Sequence, residues 1–171
     1  MNLNRIFIFL GLAVLSLTIL NCSPSLPAVT MEENEQILAD IDLNTWVAGN
    51  FKVSPDNRTF AYLNNVNNKL AIVINGKVQK LYDELLIESL IFSPDNKHVV
   101  YSARSGDKWF MIIDGKETGA YEQIPGRTAY SPDSQRLLYT IKRNEKYYVV
   151  IDGRENGPYD LLQFGEAIFT R

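Results

Sequence analysis

Phe92-Ser93-Pro94-Asp95-Asn96 has two counterparts in this chain, Val53-Ser54-Pro55-Asp56-Asn57 upstream and Tyr130-Ser131-Pro132-Asp133-Ser134 downstream. Ser54 to Ser93 is 39 residues and Ser93 to Ser131 is 38. Other landmarks keep the same phase. A tyrosine follows each serine (Tyr62, Tyr101, Tyr139), and a lysine follows each tyrosine (Lys69, Lys108, Lys146). Apolar runs then lead into Asn75-Gly76-Lys77, Asp114-Gly115-Lys116 and Asp152-Gly153-Arg154. Beyond each glycine stands a tyrosine with an acid after it: Tyr82-Asp83, Tyr121-Glu122 and Tyr159-Asp160. So many positions recurring in phase define a repeat and exclude composition bias.

A period near 40 residues is the length of one four-stranded propeller blade. Ser-Pro-Asp suits a tight turn, because Pro55, Pro94 and Pro132 preset the backbone angle while Ser and Asp56, Asp95 and Asp133 bond nearby amides. Asn-Gly and Asp-Gly between apolar runs are hairpin turns, so Gly76, Gly115 and Gly153 are expected at positive φ. The runs are short and rich in Val, Ile, Tyr and Phe, which favours strands over helices. Trp109-Phe110-Met111-Ile112-Ile113 lacks polar alternation, so its strand should be covered on both faces. Strands in the middle copy are expected at Lys97–Ala103, Lys108–Ile113, Ala120–Ile124 and Arg127–Tyr130. The fold class is therefore all-β, a partial β-propeller of about three four-stranded blades over 45–171, with repeats at 54–92, 93–130 and 131–169.

The N-terminus is different. Arg5 precedes an apolar block from Ile6 to Leu20, too short for a membrane span of about 20 residues and suited to a secretory signal peptide over 1–21. Ile19-Leu20-Asn21-Cys22 resembles a bacterial lipobox, which implies lipidation of Cys22, although Asn21 departs from the usual small residue. An uncleaved anchor or a signal cut elsewhere is the alternative. Ser23 after the cysteine favours the outer membrane, by analogy with lipoprotein sorting. Cys22 is the single cysteine, so stability must come from packing and not from disulfides. Residues 22–44 are expected to be a tether and lead-in, with Glu32–Asp42 either a short helix or irregular. Thr45–Val53 should be the last strand of an incomplete preceding unit.

At the other end, Ala167-Ile168-Phe169-Thr170-Arg171 aligns with Leu90-Ile91-Phe92-Ser93-Pro94. Three blades do not easily close a ring. The chain is therefore expected to be a truncated member of a larger propeller, with completion by another copy as the alternative. The net charge of −3 gives no support for nucleic-acid binding, which needs a basic face.

Chemistry is sparse. His98, the single histidine, occupies a slot held elsewhere by Thr59 and Arg136, which reads as a solvated strand position with no catalytic role. The repeated aspartates are too widely spaced for a calcium loop. No cofactor or metal is expected. Lys69, Lys108 and Lys146 form either a basic ring or pairs with neighbouring acids, the second being favoured. Binding, if any, should use what differs between copies: the hairpin connections containing Asn65 and Asn67, Arg104 and Asp107, and Lys142 and Arg143. Simple soluble tips are the alternative.

The stretch from Phe92 through Tyr101, then Lys108-Trp109, Asp114-Gly115-Lys116 and Tyr121, resembles the bacterial WD-repeat-like β-propellers of Ser-Pro-Asp-Gly type. Propellers of the Tol envelope system and of prolyl oligopeptidases carry such repeats. Here Asn57, Asn96 and Ser134 stand where that type has Gly. The resemblance implies a fold more than a function. Together with Cys22 it leads to the expectation of a lipid-anchored cell-envelope module, non-enzymatic, that binds envelope proteins or another copy of itself. An accessory propeller gating a separate hydrolase, or a non-functional remnant, are the alternatives. The peptidase nucleophile elbow Gly-x-Ser-x-Gly is missing from the sequence.

Overall fold

A computed structural model describes residues 5–12, 34–42, 44–125, 128–162 and 169. Cys22 and the expected tether after it lie outside the described residues. The described chain is all-β, with no helix among its residues.

Three four-stranded antiparallel sheets follow one another along the chain. Sheet I contains β3 (Trp46–Val53), β4 (Phe60–Val66), β5 (Lys69–Ile74) and β6 (Lys77–Val78). Sheet II contains β7 (Glu84–Phe92), β8 (Val99–Ser105), β9 (Lys108–Ile113) and β10 (Lys116–Tyr121). Sheet III contains β11 (Ala129–Tyr130), β12 (Leu137–Arg143), β13 (Lys146–Ile151) and β14 (Arg154–Tyr159). In each sheet the strands lie in chain order, so every connection is a local hairpin. A fourth, two-stranded sheet pairs β1 (Arg5–Leu12) with β2 (Asn34–Asp42).

Phasing differs from the expectation. The strand that leads into Ser-Pro-Asp pairs with the strand that follows it, as in Phe92↔Val99 and Val53↔Phe60. Of the segment Arg127–Tyr130, expected to close the middle copy, Ala129 and Tyr130 instead open sheet III through Tyr130↔Leu137, and Arg127 lies outside the described residues. Likewise Thr45–Val53 is not the remnant of a preceding unit, because β3 is the first strand of a complete sheet. The cause is the turn, which folds the chain back on itself. Ser93 N–H donates to His98 O at 2.9 Å, and His98 N–H donates to Ser93 Oγ at 3.0 Å. The next strand cannot start before Val99, two residues later than expected. Nor does Ala120 begin the last strand: the two-residue Asp114-Gly115 turn lets β10 start at Lys116.

Glu32–Asp42, expected to be helical or irregular, contributes the strand Asn34–Asp42. Ile37, Leu38 and Ile41 have helical spacing, but cross-strand pairing with Arg5–Leu12 overrides it. This pairing belongs to the uncleaved chain, since β1 lies within the expected signal peptide.

The core is built in layers between sheets. Ala61, Leu63 and Ile72 of sheet I meet Leu85, Leu90, Tyr101 and Ile112 of sheet II. Val100 and Met111, on the opposite face of sheet II, meet Tyr139, Ile141 and Val150 of sheet III. Met111 and Ile112 are adjacent and both fully buried, so this strand is covered on both faces. On the other face of sheet I (Phe60, Tyr62, Val73), Ile41 packs.

Each Ser-Pro-Asp turn has the same wiring. Ser54, Ser93 and Ser131 each donate Oγ–H to the aspartate two residues on, at 2.6 Å in every copy. Asn57, Asn96 and Ser134 sit at φ of 59°, 63° and 62°. These residues are more than Gly substitutes. Asn96 Oδ1 accepts from Asp56 N–H at 3.0 Å, and Ser134 Oγ accepts from Asp95 N–H at 2.9 Å. A side chain at this place ties each sheet to the one before it.

Candidate functional site

The strands run between two ends. At one end lie the Ser-Pro-Asp turns and the Asn/Asp-Gly turns, joined by side-chain caps. Asn75, Asp114 and Asp152 accept, through Oδ1, the N–H of Phe60, Val99 and Leu137, each at 2.9 Å. Gly76, Gly115 and Gly153 take φ of 78°, 78° and 77°, with their preceding residues also positive. His98 belongs to this end. Its Nδ1 lies 2.7 Å from Asp114 Oδ2, and its ring stacks on Tyr130 at 6.4 Å. Arg136 repeats the arrangement, with Asp152 at 3.2 Å and the Phe169 ring at 6.0 Å. Thr59 holds the slot in the copy whose turn residue is the neutral Asn75. The slot therefore holds a nitrogen-bearing side chain, His98 or Arg136, that pairs with the turn residue wherever that residue is Asp. Burial, then the Asp114 and Asp95 charges, push the Tyr130 hydroxyl up to about 12.

At the other end lie the hairpin tips that differ between copies. Asn67 and Asn68 form the first, at φ of 52° and 61°; Asn144 and Glu145 form the third, at 51° and 59°. Asn65 and Asn67 are exposed, and Asn65 N–H donates to Thr45 O at 2.7 Å. Asp107 is exposed beside Gly106 in the second tip.

The candidate cations of the tips are engaged internally. Arg104 Nε contacts Glu84 at 2.9 Å and its Nη1 donates to Gly106 O at 2.8 Å. Lys142 pairs with Glu145 at 3.0 Å, and that hydrogen bond raises its pKa. Arg143 forms a two-pronged pair with Glu155 at 2.7 and 3.3 Å and lies 4.8 Å from the Tyr148 ring centroid. Lys69 pairs with Asp83 and Lys146 with Asp160, whereas the exposed Lys108 has no ion pair among the described residues, so the expected pairing is seen for two of the three lysines. The acids also clasp the next sheet. Asp83 Oδ2 accepts Gly106 N–H at 2.8 Å, and Glu122 Oε2 accepts Asn144 N–H at 3.0 Å. The Lys69 and Gly106 bonds together hold the Asp83 carboxyl below its usual range.

Two positions break the repeat in ways that matter. The first is the tyrosine past each Gly turn. Tyr82 is 1 % exposed and donates to Glu117 of sheet II at 3.0 Å. Tyr121 is 8 % exposed, with its hydroxyl 3.3 Å from that of Tyr139 in sheet III. Tyr159 is 43 % exposed. Leu138 and Val149, which match the fully buried Val100 and Met111, are half-buried. Sheet III thus presents the same face with which sheets I and II grip their successors.

The second is a pair that reading the sequence did not single out. Trp46 and Asn64 are register partners across β3 and β4. Trp46 Nε1 and Asn64 Oδ1 are both buried without a hydrogen-bond partner. Sheet II places Leu85 opposite Ala103 there, and sheet III carries Ile141 at the place of Asn64. An unmet buried polar group costs about 1–3 kcal/mol, so sheet I bears an expense that its sister sheets avoid. Superposing the copies on their serines would have revealed Asn64 among Ala103 and Ile141.

Among the described residues no cluster of three or more His, Cys, Asp or Glu side chains could hold a metal ion. No protein-family model matches the chain. A search of curated proteins likewise finds no match.

Proposed function

We propose that this chain is a non-catalytic binding module of the WD-repeat-like β-propeller type, anchored to a bacterial cell envelope through a lipid on Cys22. The three sheets would be three blades. Their 38- and 39-residue spacing, four-strand meander and two-sided burial support that reading.

The observation that carries the binding role is Tyr159, 43 % exposed where Tyr82 and Tyr121 are buried against a following sheet. A half-covered apolar sheet face flanked by Tyr159 and Leu161 is the surface of a protein that docks on protein. The partner is a β-sheet face of matching shape, from a second copy or from another envelope protein. Catalysis gains no support from the turn end, where His98 and Arg136 fill equivalent structural slots.

Two experiments test the proposal. Metabolic labelling with a fatty acid should mark the wild type and not Cys22→Ala; equal labelling of both would remove the anchor. Crosslinking from an azido-phenylalanine placed at Tyr159 should trap protein in the envelope. Crosslinks only to a hydrolase would replace the reading by that of an accessory propeller, and none at all would remove the docking surface.

A further inference from the structure

Resting on the docking reading above, we infer that the partner of sheet III is sheet I of a second copy, so that two copies close head to tail into one ring. Each internal interface joins the trailing face of one sheet to the leading face of the next. The same groups make both interfaces, and their counterparts stand ready at the two ends of the series.

At the turn end, Asp56 N–H of sheet I donates to Asn96 of sheet II at 3.0 Å, and Asp95 N–H of sheet II donates to Ser134 of sheet III at 2.9 Å. Asp133 of sheet III is the next donor in this series, and Asn57 of sheet I is the matching acceptor. Asn57 already has φ of 59°, close to the 63° from which Asn96 reaches back. At the tip end, Asp83 accepts Gly106 N–H at 2.8 Å and Glu122 accepts Asn144 N–H at 3.0 Å, each from the following sheet. Asp160 is the next acceptor, and Asn67 carries the matching N–H at φ 52°, beside 59° for Gly106 and 51° for Asn144. One chain therefore holds both halves of a third interface, and a second copy brings them together.

Exposure agrees at both ends. Asp83 and Asp160 each pair with the lysine of their own sheet, yet the Asp83 side chain is 32 % exposed and that of Asp160 is 87 % exposed. Leu90, three residues before Ser93, is 1 % exposed against sheet I, whereas Phe51, three before Ser54, is 49 % exposed. Asn57 is exposed where Ser134 is buried. The middle of the leading face of sheet I carries Ile41 of β2, whose strand partner β1 lies within the expected signal peptide. Removal of residues 1–21 takes β1 away, and sheet III of the second copy then replaces β2 over Tyr62 and Val73. Leu138 and Val149 would meet them as Val100 and Met111 meet Tyr139 and Val150. Two copies of three sheets make six in all, within the roughly four to eight blades of known propellers. The contact is heterologous, trailing face to leading face, and closes because its second occurrence joins the remaining two ends.

Charge exchange across the tip contact tests the arrangement. Residues 22–171, kept reduced, should sediment as a dimer. Asp160→Lys sets a cation against the Asn67 N–H, and Asn67→Asp sets a second carboxylate against Asp160. Each should weaken the dimer about tenfold or more, the worth of a hydrogen bond to a charged group. Both positions are exposed, and Asp tolerates positive φ, so neither change should unfold the chain. An equimolar mixture of the two variants contains one wild-type contact and one exchanged contact per dimer, and should regain most of the lost affinity. The double variant in one chain should do the same. If Asn67→Asp leaves the dimer unchanged, or the mixture recovers nothing, the head-to-tail arrangement is overturned while sheet III remains a docking face. A monomeric wild type overturns it as well. Tyr159 crosslinks to another envelope protein would then preserve the docking reading with a different partner, and their absence would remove both.

Discussion

Asn96 Oδ1 accepts the backbone N–H of Asp56 at 3.0 Å, across 40 residues of sequence and from one sheet to the next. The turn that defines the repeat is thus also the clamp between repeats. Asn96 does two jobs: it adopts φ 63° and it supplies the acceptor. Substitutions separate them. Asn96→Gly keeps the backbone geometry and loses the acceptor, for a cost of about 1 kcal/mol. Asn96→Ala loses both and should cost a further 1–2 kcal/mol or so for the left-handed backbone. Chemical denaturation of the pair checks the order; Gly as stable as wild type would show that the inter-sheet bond contributes nothing, and Gly as unstable as Ala that the left-handed backbone costs nothing.

The turn glycines should differ in sensitivity. At Gly115 a Cβ meets only Gln79 Oε1 at 3.8 Å, so Gly115→Val should cost the backbone strain alone, about 1–3 kcal/mol. At Gly119, φ 59°, a Cβ would overlap the Tyr121 ring, which is buried against sheet III. Gly119→Ala should therefore melt lower than Gly115→Ala. The reverse ranking in thermal unfolding would contradict the β10 register.

Acid should weaken the Ser-Pro-Asp turns. The hydrogen bond from Ser93 chiefly, with Lys97 assisting, holds the Asp95 carboxyl down at about 2. Asp56 and Asp133 are lowered for the same first reason, their serines. The unfolded chain takes up these protons first, near pH 3.9. The stability they provide is therefore complete above about pH 4 and is lost as pH falls toward 2. Urea midpoints measured across this window should fall, and the triple Asp→Asn variant should show a flatter slope.

Sheet III predicts association. With Tyr159 and Leu161 exposed and Leu138 and Val149 half-buried, residues 22–171 should sediment as a concentration-dependent oligomer. Tyr159→Ser combined with Leu161→Ser should shift the equilibrium toward monomer with little change in melting. A wild type that stays monomeric at every concentration would exclude self-docking at this face.

Local chemistry made much of this protein legible in one dimension. Ser-Pro-Asp and Asp-Gly act over a few residues through preset angles and nearby amides, so the period, the strands and the hairpin turns follow from the residues themselves. The unbroken apolar run Trp109–Ile113 likewise foretold a strand buried on both faces. Tertiary structure decided the rest. Which strand pairs across Ser-Pro-Asp depends on the Ser93–His98 bonds, and these set the sheets one strand out of phase with the expected repeat units. The helical spacing of Ile37, Leu38 and Ile41 yielded to strand pairing, because an exposed helix face gains less than Ile41 does against Phe60 and Tyr62. Arg104, Lys142 and Arg143 looked available as binding groups until folding brought Glu84, Glu145 and Glu155 to them. The unmet Trp46 and Asn64, 18 residues apart, became neighbours only through the β3–β4 register. Contacts within a turn are written in adjacent residues, whereas pairing between strands and sheets depends on which distant partners arrive at the same place.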